Sequence, residues 1–291
     1  MSEEWHIDTN LEMKNEAKVI ERLKPLSKPL QTEGAESIEY SVVVPVRDEA
    51  GNIVSLVDEL NSVMSTLVGS PRYEIIFVDD CSSDASAEEI MSVAHSCARL
   101  RMISFSSPCG QSQALIIGVQ LAKGPWIITL DGDGQNDPAD IPKLIDIRNN
   151  SEGEVGKCLF VGHRLLRKDS LIKRYASWLA NDIRGWLLRD AVPDSGCGLK
   201  LFRRDAFLAL PRFDALHRFL PVFFLRAGGR TVSVEVSHRL RCHGVSKYGI
   251  LKRFLLCLVD LIGVMWLMHR HTRPEPIVSS FEDLVRDKSD R

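Results

Sequence analysis

Two aspartates separated by one residue, Asp131 and Asp133, have the type and spacing of a metal site, and they follow an apolar run at 126–130. Side chains two residues apart at a strand end lie on the same side, and two carboxylates so close repel each other unless a cation lies between them. Mg²⁺ or Mn²⁺ needs only one or two carboxylates when diphosphate oxygens and water supply the other ligands. The pair therefore predicts a metal-diphosphate site, with a solvated acidic turn as the alternative.

The strands and helices predicted around Asp131 and Asp133 favour the metal site over the solvated acidic turn. Strands predicted at 41–45, 73–78, 101–105 and 126–130 alternate with helices predicted at 49–68, 86–98 and 112–122. This order predicts an α/β fold with a mostly parallel sheet flanked by helices. Such sheets bind ligands at the carboxyl ends of their strands. Polar clusters at 47–49, 79–80 and 131–133 fall at such ends, so we expect them on one face.

The composition is that of an ordinary globular protein, with 44% hydrophobic and 26% charged residues among 291. A formal net charge of −2 gives no global basic field, so we predict no nucleic-acid partner. Seven scattered cysteines without a CxxC pair indicate reduced thiols, and the start of the chain has no apolar signal core. We expect a polar arm at 1–37, the α/β domain at 38–249, a membrane-interface helix at 250–273 and a polar tail at 274–291.

Two basic stretches, at 164–174 and 239–253, are conspicuous in a chain of net charge −2. They predict phosphate binding, because the planar fork of Arg binds two phosphate oxygens at once; a solvated basic face is the alternative. Residues 254–268 are apolar except for Asp260 and Gly263, and cations flank them on both sides. This pattern predicts a helix lying in the membrane interface rather than across the bilayer, with ordinary core packing as the alternative.

Six segments in this order resemble the successive signatures of family 2 glycosyltransferases with a GT-A (Rossmann-like) fold. The similarity is greatest to the branch of dolichol-phosphate mannose synthases and bacterial polyprenyl-phosphate glycosyltransferases. The segments are Pro45-Val-Arg-Asp-Glu49, Val78-Asp-Asp-Cys-Ser-Ser-Asp84, Asp131-Gly-Asp-Gly-Gln135, Gly162-His-Arg164, Asp194-Ser-Gly-Cys-Gly-Leu-Lys200 and Arg241-Cys-His-Gly-Val-Ser-Lys247. The chain departs from the family pattern at Cys81, Gly132 and residues 136–138, none of which removes a charged ligand.

The resemblance implies a role for each matched residue. Metal ligands, for Mg²⁺ or Mn²⁺, are implied at Asp131, Asp133 and Gln135. Nucleotide-sugar contacts are implied at Pro45, Arg47, Glu49, Asp79, Asp80 and Gln111. Contacts to the phosphates of donor or acceptor are implied at Arg164, Arg174, Lys200, Arg241, Ser246 and Lys247. The residues expected to be catalytic are Asp131, Asp133, Arg164 and Asp194.

The implied reaction moves a sugar from a UDP- or GDP-sugar donor to a polyprenyl phosphate at the cytoplasmic face of a membrane. A phosphate monoester is already an anion near pH 7, so it hardly needs a general base. One alternative is a family 2 enzyme that uses a polysaccharide or another hydroxyl acceptor, for which Asp194 would be the general base. Another is a non-catalytic nucleotide-sugar-binding protein. The sequence leaves the donor sugar, the lipid length and homo-oligomerisation open.

Overall fold

A computed structural model describes residues 37–164, 185, 187–188, 192–240 and 250–270, and within the last range it describes side chains from residue 259 onward. The predictions for the N-terminal arm up to residue 36 and for the tail at 274–291 lie outside these residues. So do those for Arg174, Arg241, Ser246 and Lys247.

The described residues form a seven-stranded sheet. Its strands are β1 (Tyr40–Val46), β2 (Tyr73–Asp79), β3 (Leu100–Ser104), β4 (Trp126–Thr129), β5 (Cys158–Arg164), β6 (Lys200–Arg203) and β7 (Arg230–Val236). They lie in the order β3-β2-β1-β4-β6-β5-β7, and only β6 runs antiparallel to its neighbours. The mostly parallel α/β sheet predicted from the sequence is therefore confirmed.

The central strands are apolar along their length because helices cover both faces of the sheet. In β1 and β2, Val42–Val44 and Ile75–Val78 are fully buried. Pro45 is tolerated in β1 because it lies beyond the last β1–β4 pair, Val43 with Thr129, where no hydrogen bond to β4 is lost. Beyond that point β1 pairs with β2 alone as far as Val46 and Asp79. The loop that follows β1 therefore begins at the carboxyl edge of the sheet.

The helices within the described residues are α1 (Ile53–Ser65), α2 (Ser86–Ser96), α3 (Gln111–Leu121), α4 (Ile141–Asn149), α5 (Arg204–Leu208), α6 (Leu216–Arg226) and α7 (Ile250–His269), with 3₁₀ turns at Pro138–Asp140 and Val155–Lys157. Helices α1, α2, α3 and α7 lie close to ranges predicted from the sequence, whereas α4, α5 and α6 were not predicted. The prediction that α1 begins at residue 49 was wrong by four residues. Asp48 and Gly51 have φ of 53° and 85°, and a helix cannot include such left-handed residues.

The last helix, α7, has two apolar sides. Leu261 and Val264 are buried in the core, whereas Val259, Ile262 and Trp266 are between 61% and 67% exposed. Spacings of three and four residues place these three exposed side chains on one face. Among the described residues, no helix is both long enough and apolar enough to cross a bilayer.

Candidate active site

The loops after β1 and β2 are tied to each other by hydrogen bonds from backbone N–H groups. Ser83 N–H donates to Asp48 Oδ1 at 2.6 Å, and Asp48 N–H donates to Ser82 Oγ at 3.0 Å. Glu49 N–H donates to Ser86 Oγ at 2.8 Å. Because side chains of one loop satisfy the backbone of the other, Glu49 and the end of β2 are held in a fixed relation.

Asp80, the residue after β2, holds the loop that leads into α3. Its Oδ1 accepts hydrogen bonds from Cys109 N–H at 2.6 Å and from Gly110 N–H at 3.0 Å. Arg47 lies 3.6 Å from the same carboxylate, and Asp79 accepts from Ser82 N–H at 3.1 Å. Asp79 and Asp80 are each 4% exposed. The two aspartates thus shape the backbone around the predicted nucleotide site.

Asp131 follows β4 and is oriented from three directions. Gln111, the first residue of α3, donates from Nε2 to Asp131 Oδ1 at 2.8 Å. Asp131 N–H donates to Oδ1 of the buried Asn136 at 3.0 Å, and Asn136 in turn lies 3.8 Å from Cys197 Sγ. A Cβ atom at Gly198 would overlap the Asp131 carboxylate and Asn136 Oδ1. Gly198 is therefore required for the close approach of this segment to Asp131.

Asp133 is 7% exposed and accepts from Gln135 N–H at 3.1 Å. Burial and the charge of Asp133 raise the pKa of Asp131 above its ordinary value, while the cations Lys200 and Arg164 act in the opposite direction. Two carboxylates whose mutual repulsion is only partly offset by nearby cations attract a further positive charge. The electrostatics of the pair therefore fit a cation.

Arg164 at the end of β5 and Asp194 form a buried ion pair. Nε and Nη2 of Arg164 donate to the two carboxylate oxygens at 2.7 and 2.9 Å, and the two side chains are 9% and 5% exposed. Burial lowers the pKa of Arg164, but hydrogen bonds to Asp194 and its charge raise it above the ordinary value overall. Arg164 is therefore a permanent cation whose fork is occupied by Asp194.

Lys200, at the start of β6, is 5% exposed and donates from Nζ to the Cys197 carbonyl oxygen. Burial lowers the pKa of Lys200, although the Asp131 and Asp194 carboxylates favour its charged form. Among the described residues, Lys200 and Arg164 both act as cations on Asp131. The structure thus joins predicted residues from β4, β5 and β6 into one charged cluster at the carboxyl edge of the sheet.

The residues present fit a hard divalent cation such as Mg²⁺ or Mn²⁺. Within the described part of the chain, no group of three or more His, Cys, Asp or Glu side chains is placed to hold a metal. Two carboxylates suffice for these ions when phosphate oxygens and water complete their coordination. A metal at Asp131 and Asp133 would therefore depend on a bound diphosphate.

Several contacts at the site were not predicted. Asn136, treated only as a departure from a family pattern, fixes the backbone of Asp131. Gly132 abuts Val46, where a Cβ would lie 2.5 Å from Cγ1. Arg239 donates to Glu59 and to Asp137, each at 2.6 Å. The basic stretch at 239–253 drew attention to Arg239, but no sequence signal identifies partners 180 and 102 residues away.

Paired carboxylates and cations lie together at the carboxyl edge of a mostly parallel sheet, which is where α/β folds bind their ligands. The comparisons identify the family. The pattern of the family described as "Glycosyl transferase family 2" matches residues 41–210. The chain is 35% identical over 260 residues to the dodecaprenyl-phosphate galacturonate synthase of Rhizobium johnstonii, covering 88% of this chain and 73% of that protein.

It is also 32% identical over 223 residues to the undecaprenyl-phosphate 4-deoxy-4-formamido-L-arabinose transferase of Edwardsiella ictaluri, covering 76% of this chain and 66% of that protein. The chain thus spans about two thirds to three quarters of the length of these two relatives. The protein belongs to glycosyl transferase family 2 and is a glycosyltransferase by class.

Solved structures share the fold. The glucosyl-3-phosphoglycerate synthase of Mycobacterium tuberculosis, in complex with Mg²⁺ and uridine diphosphate, matches with a TM-score of 0.59 at 20% identity, covering 78% of this chain and 80% of that one. The mannosyl-3-phosphoglycerate synthase of Rubrobacter xylanophilus matches with a TM-score of 0.57 at 16% identity, covering 84% and 80%. These similarities confirm the GT-A architecture.

Proposed function

We propose that the protein transfers a sugar from a nucleoside diphosphate donor, UDP or GDP, to a polyprenyl phosphate, with Mg²⁺ or Mn²⁺ bound at Asp131 and Asp133. The observation that carries this proposal is the largely buried cluster of Arg164, Lys200 and the two carboxylates at the carboxyl edge of the sheet, of which Lys200 and Asp133 are buried and Arg164 and Asp131 half-buried. Two relatives named for polyprenyl-phosphate acceptors support the choice of acceptor. The proposal also includes the other contacts that the family resemblance implies, such as metal coordination by Gln135 and nucleotide-sugar contacts at Pro45 and Glu49.

The cations of the site suit a reaction in which both substrates bring phosphate groups. When bound at Asp131 and Asp133, the metal supplies positive charge that stabilises a departing nucleoside diphosphate. Lys200 and Arg164 place further positive charge beside Asp131 in a water-poor environment, where such charge acts strongly on a developing anion. Gln111 keeps the Asp131 carboxylate in one orientation.

The position of Asp194 favours the phosphate acceptor over a hydroxyl acceptor. A hydroxyl nucleophile needs a general base within hydrogen-bond reach. Both oxygens of Asp194 instead accept hydrogen bonds from Arg164, so its carboxylate is engaged in an ion pair. A phosphate monoester already carries the negative charge that a base would have to create.

The outward face of α7 supports a place for this reaction at a membrane surface. Val259, Ile262 and Trp266 are exposed, and the Arg270 guanidinium lies 5.6 Å from the Trp266 ring centroid. An apolar helix face bordered by cations binds the interface of anionic membranes. Replacing the exposed side chains, in Ile262→Ser/Trp266→Ser, should weaken binding to vesicles that contain anionic lipid while leaving the buried Leu261 and Val264 in place. The cytoplasmic side of the membrane stays a prediction.

The deciding experiment incubates the protein with labelled UDP- and GDP-sugars, undecaprenyl phosphate in detergent micelles and Mg²⁺ or Mn²⁺. We expect label in the organic-solvent extract for one donor, and no such product in excess EDTA. Transfer to a soluble sugar acceptor with undecaprenyl phosphate inert would overturn the proposed acceptor. Nucleotide-sugar binding without transfer to any acceptor would indicate a binding protein.

A further inference from the structure

Ser112 in the first turn of α3 and His217 in the first turn of α6 are joined by two hydrogen bonds. Ser112 Oγ lies 2.8 Å from His217 Nδ1, and His217 N–H donates to Ser112 Oγ at 3.3 Å. The first N–H groups of a helix have no acceptor within that helix, so the buried Ser112 does for α6 what an N-cap side chain would do. The helix that carries His217 is fixed in the core by Leu216, Leu220 and Phe223, each at most 1% exposed.

The start of α3 is held from two directions. Its N-cap residue, Gly110, has φ of 89° and no side chain that could cap the helix. Asp80 holds the preceding loop through the N–H groups of Cys109 and Gly110, and the contact with His217 holds the first turn itself. Gln111 lies between these two supports, so its backbone position depends on both of them.

Gln111 connects this helix start to the predicted metal site. Its Nε2 donates to Asp131 Oδ1 at 2.8 Å, although the residue itself is exposed. An exposed glutamine loses rotamer freedom when it makes such a contact, so the contact persists only where the backbone places it well. A side chain that orients a metal-binding carboxylate contributes to the affinity of the site without touching the metal.

We propose that Ser112 and His217 are a positioning pair that fixes the first turn of α3, so that Gln111 holds the Asp131 carboxylate in the direction that binds the metal. This inference rests on the proposed function. The pair joins parts of the chain that are 105 residues apart and anchors the helix start beside the metal site to a helix of the core. Neither side chain has to touch the metal or a substrate for this effect.

The experiment measures Mn²⁺ binding by calorimetry in saturating UDP and, in a second series, in saturating GDP. We expect binding to weaken about fivefold in Ser112→Ala and in His217→Leu, because contacts that orient a metal ligand typically matter by about tenfold or more. His217→Asn should stay within about twofold of the wild type, since the asparagine amide places a polar atom close to where Nδ1 lies. Turnover with undecaprenyl phosphate should fall with Mn²⁺ binding, while the apparent KM for undecaprenyl phosphate stays unchanged.

Ser41→Ala is the matched control. Ser41 is also buried, donates to Glu74 Oε1 at 2.7 Å and accepts from Gly124 N–H at 2.9 Å. It lies near the start of β1, at the opposite end of the parallel strands from Asp131. Ser41→Ala should lower the midpoint of urea unfolding at least as much as Ser112→Ala and leave Mn²⁺ binding unchanged. If both variants weakened Mn²⁺ binding equally, the effect would be a general loss of stability and the inference would be wrong.

A double variant tests whether the pair acts through Gln111. Gln111→Met should weaken Mn²⁺ binding about tenfold, and adding His217→Leu should change it little further, because substitutions in one chain of contacts are not additive. Independent effects in the double variant, or wild-type Mn²⁺ binding in His217→Leu, would overturn the inference. Since Mn²⁺ binding is measured without an acceptor, transfer to a soluble sugar would overturn the proposed acceptor alone. A wild type that bound no Mn²⁺ with either nucleotide would overturn the metal site and this inference together.

Discussion

Two parts of the site are built by different kinds of contact. The loops at 47–51, 80–86 and 109–111, which we call the donor side after their proposed role, are held mainly by backbone N–H groups that donate to side chains of a neighbouring loop. Residues 164, 194 and 237–240, which we call the acceptor side after the role proposed for Arg164, are held largely by ion pairs between distant side chains. The donor-side loops have many small supports, whereas the acceptor side depends on a few ion pairs, of which Arg164–Asp194 is buried and those of Arg239 are partly exposed.

This difference predicts how each part responds to substitution. Removing one of several hydrogen bonds from the donor-side loops should cost little, because the neighbouring bonds still fix the backbone. Removing one partner of a buried ion pair leaves a charge without compensation, which is costly. The charged cluster at Asp131 lies between the two parts and should be the most sensitive point for turnover.

Asp133→Asn should give the largest effect. The substitution removes a metal ligand and its charge at nearly constant volume, so we expect turnover to fall about 1,000-fold, or about 4 kcal/mol. The exposed Asp146→Asn on α4 is the control and should be fully active. Transfer assays in Mg²⁺, Mn²⁺ and excess EDTA measure the effect. A loss below tenfold, or full activity in EDTA, would exclude Asp133 as a metal ligand.

Asp194→Asn tests the acceptor-side ion pair. Arg164 would stay buried with its charge uncompensated, so we expect the free energy of unfolding in urea to fall by about 3 kcal/mol. Asp205→Asn, which breaks the exposed pair with Arg203, should change stability by less than about 0.5 kcal/mol. The double variant Arg164→Met/Asp194→Leu should recover part of the loss. If Asp194→Asn and Asp205→Asn lowered the free energy of unfolding equally, the proposed contrast between buried and exposed ion pairs would be wrong.

Gly198→Ala tests the close packing at Asp131. The added Cβ would displace the carboxylate or Asn136 Oδ1, so we expect about a tenfold loss of turnover, or about 1.4 kcal/mol. Gly156→Ala is the matched control, because a Cβ there meets nothing within 4 Å. The measurement is the transfer rate of Gly198→Ala, Gly156→Ala and the wild type at saturating donor. If both variants keep wild-type rates, the approach of this segment to Asp131 is not needed for catalysis.

The donor side was largely predictable from the sequence, and the acceptor side was not. Asp131 directly follows an apolar run and Asp80 comes one residue after another, so the parallel sheet alone places them at one edge. Arg164 and Asp194 were each singled out, but their pairing depends on how β5 and β6 meet in space. Asn136 and Gly198 act through close contacts that only the folded backbone creates. Glu59 and Arg239 are 180 residues apart, beyond the reach of any local pattern.

Asp84→Ala should give the smallest effect and tests the donor-side loops directly. Asp84 accepts hydrogen bonds from Ala50 N–H at 3.1 Å and from Ser86 N–H at 3.0 Å. The residues around it are also tied by Asp48 to Ser83 and by Glu49 to Ser86. Since these bonds survive, we expect a loss of about 1 kcal/mol in stability and less than a threefold change in KM for the donor.

The loss in Asp84→Ala should also depend on pH in a definite direction. Burial acts to raise the pKa of Asp84, but its hydrogen bonds to Ser86 and Ala50 lower it below the ordinary value overall. A carboxylate with a lowered folded-state pKa stabilises the protein above its ordinary pKa, near 4, and loses this contribution as pH falls further. The difference in unfolding free energy between wild type and Asp84→Ala should therefore be present at pH 7 and shrink below about pH 4. A loss as large as that of Asp194→Asn at pH 7 would mean that the donor-side loops also depend on single strong contacts, and the contrast between the two parts of the site would fail.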